Sequence, residues 1–86
     1  MRIAMKDVVD LLEAYASCPV AITGKQVKER MITWPKKKIL IVRRFCIEAG
    51  LLDLAHVSYE GPTQIRRSTF HKITNKGRIL VQIMKG

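Results

Sequence analysis

Acidic side chains are scarce in this chain of 86 residues: seven aspartates and glutamates stand against sixteen lysines and arginines. The few acids are scattered and form no paired-carboxylate site. Long hydrophobic runs are missing too, none approaching the ~20 apolar residues that a membrane span requires, so no membrane partner is expected. Cysteine is limited to Cys18 and Cys46, too few for a disulfide framework and without a Cys-x-x-Cys pair. A zinc site from Cys18, Cys46, His56 and His71 is conceivable, but their spacing fits no zinc pattern. The five glycines build no phosphate-binding loop, and there is no Gly-x-Ser-x-Gly elbow. These absences argue against an enzyme and against a cofactor. A core this small also leaves little room for a substrate pocket.

What remains is one domain, residues 1–86, with 48% hydrophobic residues and a net charge of +9. That excess exceeds what solubility asks for and favours a polyanionic partner, nucleic acid first and an anionic membrane second. The charge is uneven. Residues 1–20 carry two basic groups against three acids, residues 21–50 eight against two, and residues 51–86 six against two. The basic surface therefore centres on the middle of the chain. Asp7 and Asp10 interrupt any signal-peptide core at the start, so a cytoplasmic location is expected.

Met5, Val8, Val9, Leu12, Tyr15 and Ala16 recur at a helical period, with Asp7, Asp10 and Glu13 between them. Cys18-Pro19 ends this helix, because the residue before proline avoids the α region. Val20-Ala21-Ile22 suits one short strand. Thr23-Gly24-Lys25-Gln26 has the form of a capping box and opens a second helix with Val27 and Met31 inward. Thr33-Trp34-Pro35 predicts a third start, with Thr33 as cap, proline in the first turn and Trp34 as a core or cap residue. That helix runs to Ala49, and Gly50 supplies its left-handed stop. Ile39, Val42, Cys46 and Ala49 form its inner stripe, with Phe45 beside it.

Leu51 to Leu54 close the helical part. From Ala55 to Tyr59 and from Ser68 to Ile73 the residues alternate as in half-buried strands, with Phe70 and Ile73 as the large inward residues. Both histidines are read as strand residues. Gly61-Pro62-Thr63 is a turn, and Gln64, Ile65, Arg66 and Arg67 fill a basic loop of the hairpin. Thr74-Asn75-Lys76-Gly77 starts a last helix whose apolar side is Ile79, Leu80, Ile83 and Met84.

Three pieces of this order resemble a winged-helix domain of the helix-turn-helix class. They are Ile22 to Val27 before the second helix, Glu48-Ala49-Gly50-Leu51-Leu52 at the end of the third, and Ile73 to Arg78 after the hairpin. The resemblance covers residues 5 to 84. It implies an α+β fold, mainly α, with a three-helix core, a two-stranded β-wing and a C-terminal helix. It also implies double-stranded DNA binding, as in transcriptional regulators, with the third helix in the major groove and the wing on backbone or minor groove. Carried onto this chain, the groove-facing positions are Lys36, Lys37, Leu40, Arg43 and Arg44, and the wing positions are Gln64, Arg66 and Arg67. One departure stands out: Leu40 and Ile41 are apolar where the family usually places polar residues.

Physical chemistry points to the same surface. Lys25, Lys28, Lys36, Lys37 and Lys38 suit phosphates, where neutralisation releases counterions. Three lysines at a helix start oppose the macrodipole at a cost of roughly a few tenths of a kcal/mol each, a placement that suggests a use. Arg43 or Arg44 is the expected base reader, since arginine binds guanine bidentately. The competing reading is a protein-interaction module in which Leu40, Ile41 and Ile47 mark a docking surface; RNA binding is a third. The first and last helices are the candidate elements for a homodimer.

Overall fold

The computed structural model describes residues 2–63 and 66–85. Within them the apolar periodicity condenses into α1 (Met5–Ala16), β1 (Ile22–Thr23), α2 (Gly24–Arg30), α3 (Lys36–Glu48), β2 (Leu52–Glu60), β3 (Arg66–Ile73) and α4 (Asn75–Lys85). The architecture is α+β: four helices and a three-stranded antiparallel sheet in the order β1-β3-β2. β3 is the central strand. It pairs Ile22 with His71 on one side and runs Leu52 opposite Ile73 to Glu60 opposite Arg66 on the other.

The helices meet over one core. Val8, Leu11, Leu12 and Tyr15 of α1 are buried with Val27 of α2 and Ile39, Val42 and Cys46 of α3. Ile22, Leu52 and Ile73 close it from the sheet. Truncating a fully buried leucine such as Leu12 costs about 2–5 kcal/mol. Two details of the helical pattern differ from expectation. Leu11 is fully buried on α1, whereas Met5, its first residue, is 44% exposed, and Ile3 just before the helix packs against the core instead. On α4 the inward stripe is Gly77, Leu80 and Val81, leaving Ile79 and Ile83 outside.

The helix ends follow local chemistry. Thr23 and Gln26 make the expected capping box: Gln26 N–H donates to Thr23 Oγ1 at 3.2 Å and Thr23 N–H to Gln26 Oε1 at 2.9 Å. Gly50 adopts φ 75°. There its N–H donates to Ile47 O at 3.2 Å and Leu51 N–H to Cys46 O at 2.8 Å, a Schellman closure of α3. The start of α3 departs from the reading. Thr33 does not cap it; Thr33 and Trp34 lie in the preceding turn and Pro35 is the cap residue, without a side-chain bond. Proline's fixed φ, here −59°, together with an extended ψ of 144°, sets the chain direction before the first helical residue.

The strands also shift. β1 is Ile22–Thr23 rather than residues 20 to 22, and Val20 is 69% exposed. β2 begins at Leu52, so Leu52 to Leu54 are sheet rather than the tail of the helical part, and the pairing slips at Ala55. Arg66 and Arg67 belong to β3, opposite Glu60 and Tyr59, and not to the connecting loop. The ribbon end of β2 and β3 is largely exposed, and the molecule measures 48 × 26 × 20 Å.

α4 is clipped onto the end of α3. Thr74 Oγ1 donates to Gly50 O at 2.7 Å and accepts from Gly77 N–H at 3.0 Å, while Lys76 Nζ donates to Ala49 O at 3.0 Å. Gly77 is buried, and a Cβ there would lie 2.5 Å from Leu51 O. Only glycine lets the two backbones approach so closely.

Candidate nucleic-acid interface

The exposed face of α3 carries Lys36, Lys37, Leu40 and Arg44 of the expected site. Lys36 and Lys37 project from its first turn and are exposed. Neither has a carboxylate within 4.0 Å among the described residues. Leu40 is 59% exposed. Arg44 follows one turn on, 80% exposed at its side chain and held only by a loose 3.9 Å pairing with Glu48. Leu40, Arg43, Arg44, Ile47 and Glu48 line one shallow depression.

Lys38 is placed differently from its two neighbours. Its Nζ lies 3.3 Å from Asp7 and 4.3 Å from the centre of the Trp34 ring. Its charge is therefore spent partly on α1, and Trp34 packs against the core rather than offering a free stacking face.

Arg43 and Arg44 part company in the same way. Arg43 turns inward: its Nε donates to Tyr15 Oη at 2.9 Å and its Nη2 to His71 Nδ1 at 2.9 Å. An arginine can only donate, so His71 Nδ1 accepts and the ring is neutral with its proton on Nε2. Burial lowers the His71 pKa, and the Arg43 charge lowers it further against a weaker opposing effect of Asp53. Burial likewise raises the Tyr15 pKa, with Arg43 acting in the other direction. This cluster ties α1, α3 and β3 together at the base of the site. The expectation treated the two arginines alike, whereas the geometry commits Arg43 to the fold.

Parity carries the missed signal. Residues two apart on a strand share a face, so if Ile73 points inward His71 must as well, and Phe70 must not. Phe70 in fact stacks on His56 with centroids 4.2 Å apart.

Lys25 and Arg67 come together with Arg43 around a cleft of about 600 Å³ between the start of α2 and β3, with Glu29 and Glu60 also on its wall. Lys25 and Arg67 are exposed. Lys28 is half-buried one turn further along α2 and lines neither depression. Arg66 enters β3 by backbone pairing with Glu60, and Gln64 lies outside the described residues.

Cys18 and Cys46 are both free and buried. Burial pushes the Cys46 thiol up to about 12, which keeps it protonated and a poor metal ligand. No group of three or more His, Cys, Asp or Glu among the described residues is placed to hold a metal ion. No described helix is long and apolar enough to cross a membrane. Comparison with known proteins returns no matching family model, no significantly similar curated protein and no significantly similar solved structure.

Proposed function

We propose that this chain is a winged-helix protein that binds double-stranded DNA, laying α3 in the major groove and the β2–β3 ribbon on the adjacent backbone, in the manner of a transcriptional regulator. The observation that carries the reading is the pair Lys36 and Lys37, exposed at the start of α3 without a carboxylate partner among the described residues. Their charges oppose the helix dipole, and a phosphate on each would reverse that cost. Support for the fold reading comes from the element order: three helices on one core, a strand pair after the third, then a closing helix. Exposed Arg67 on β3 and Lys25 on α2 extend the basic surface beyond α3, around the cleft that they share with Arg43.

Within this reading Lys25, Lys36, Lys37 and Arg67 position the protein on phosphates, and Arg44 reaches base edges. A two-fold arrangement on the duplex would use Ile79 and Ile83. They remain 55% and 69% exposed on α4, while α4 itself packs on α1 through the Lys85–Glu13 pair at 2.6 Å. A location on the cell's DNA follows from the same reading.

Salt titration of duplex binding is the test. The logarithm of affinity should fall linearly with the logarithm of salt concentration, and Lys36→Ala with Lys37→Ala should flatten that slope by about two. Lys38→Ala, already paired to Asp7, should flatten it by less than about one. Absence of duplex binding at low salt defeats the proposal and leaves exposed Leu40 to be explained as a protein-docking residue.

A further inference from the structure

Leu40 is 59% exposed in the middle of α3. On a helix its surface neighbours are the residues three and four positions away. These are Lys36, Lys37, Arg43 and Arg44, and three of the four are exposed cations. Ile47, one turn beyond, lines the same depression, as does Glu48, whose carboxylate lies 3.9 Å from Arg44 and leaves the two lysines unpaired among the described residues. An apolar protein surface docking on Leu40 would have to desolvate these charges. The surroundings fit instead a ligand that is anionic at its rims and apolar at one point of its floor.

The major groove of DNA has that chemistry. Phosphates border it, and the apolar feature of its base-edge pattern is the 5-methyl group of thymine. We infer that Leu40 is a specificity residue that reads thymine by packing on this methyl, backed by Ile47, while Arg44 reads a guanine nearby. The inference rests on the DNA-binding reading above and names what α3 recognises there. Arg43 is excluded from base reading because its Nε and Nη2 are held by Tyr15 and His71. Leu40 and Arg44 are four residues apart, about 6 Å along the helix, so thymine and guanine should fall within about two base-pair steps of each other. Leu40 is then a reader of a methyl group rather than a gap in a hydrogen-bonding pattern, whereas Ile41 lines a separate pocket with Ile3 and Pro35.

The experiment uses the duplex that the 86-residue chain enriches from a random pool, resynthesised with deoxyuridine in place of thymidine. This change removes the methyl groups and leaves every base-pair hydrogen bond. Wild-type affinity should fall by about four-fold for each contacted methyl. Leu40→Ala should bind the thymine duplex more weakly and respond little to the exchange; its exposure makes misfolding a poor explanation, and an unchanged circular dichroism spectrum checks this. Equal wild-type affinity for both duplexes overturns the inference while leaving DNA binding intact, as does an enriched site without thymine or no enriched site at all. No binding to either duplex at low salt overturns both.

Discussion

Two adjacent arginines show how far a residue's type falls short of its role. In the sequence Arg43 and Arg44 are equivalent candidates for base reading. On the helix, Arg43 borders the buried stripe of Ile39, Val42 and Cys46, and that position takes it to Tyr15 and His71. The partners lie 28 residues away on either side, so helical periodicity alone could not name them. Arg43→Ala should leave Tyr15 and His71 without their donor and lower stability by about 1–3 kcal/mol in urea unfolding. Arg44→Ala should change stability by no more than about 0.5 kcal/mol and show its effect in DNA affinity and site preference.

At the scale of elements, two signals of short-range chemistry were readable, although the expected Thr33 cap of α3 does not form, and what depends on a neighbouring element was not. The capping box at Thr23 and the glycine stop at Gly50 involve residues within a few positions of one another, and both form as their residue types require. The inward side of α4 is different. Ile79, Ile83 and Met84 are large apolar residues left outside, while the contact runs through Gly77 with Leu80 and Val81, because a glycine permits the approach to Leu51 O that a longer side chain would block. Gly77→Ala tests this directly. Alanine gains about 1 kcal/mol in helix propensity, but its Cβ would clash with the Leu51 carbonyl and Ile73. The net result should be a fall in Tm of about 4 °C or more in thermal unfolding.

The whole molecule should carry the imprint of His71 in its dependence on pH. His71 is buried, and its folded pKa lies below the ordinary 6.5. Above that value neither state gains a proton from this group. As pH falls through 6.5 the unfolded chain protonates before the folded one, so stability drops. The loss stops once pH passes below the depressed folded value. Urea midpoints measured from about pH 7.5 to 5 should therefore decline for the wild type, and His71→Gln, which keeps an acceptor for Arg43 but does not titrate, should remove that part of the slope. The α+β composition and the position of the basic surface were legible from charge and periodicity. The three-stranded sheet was not, because Ile22–Thr23 is too short to announce its partner.

That short pairing also sets an order in time. Ile22 finds its strand only at His71, and Leu52 its own only at Ile73. Helices form within about a microsecond, and at about 5–20 residues per second of synthesis α1, α2 and α3 are made seconds before β3. A growing chain must therefore hold Ile22 and Leu52 without their sheet partners, along with a Tyr15 and an Arg43 that still lack His71. The late arrival of one strand joins the ends of the chain, and folding of this domain becomes a process that finishes from its carboxyl-terminal third.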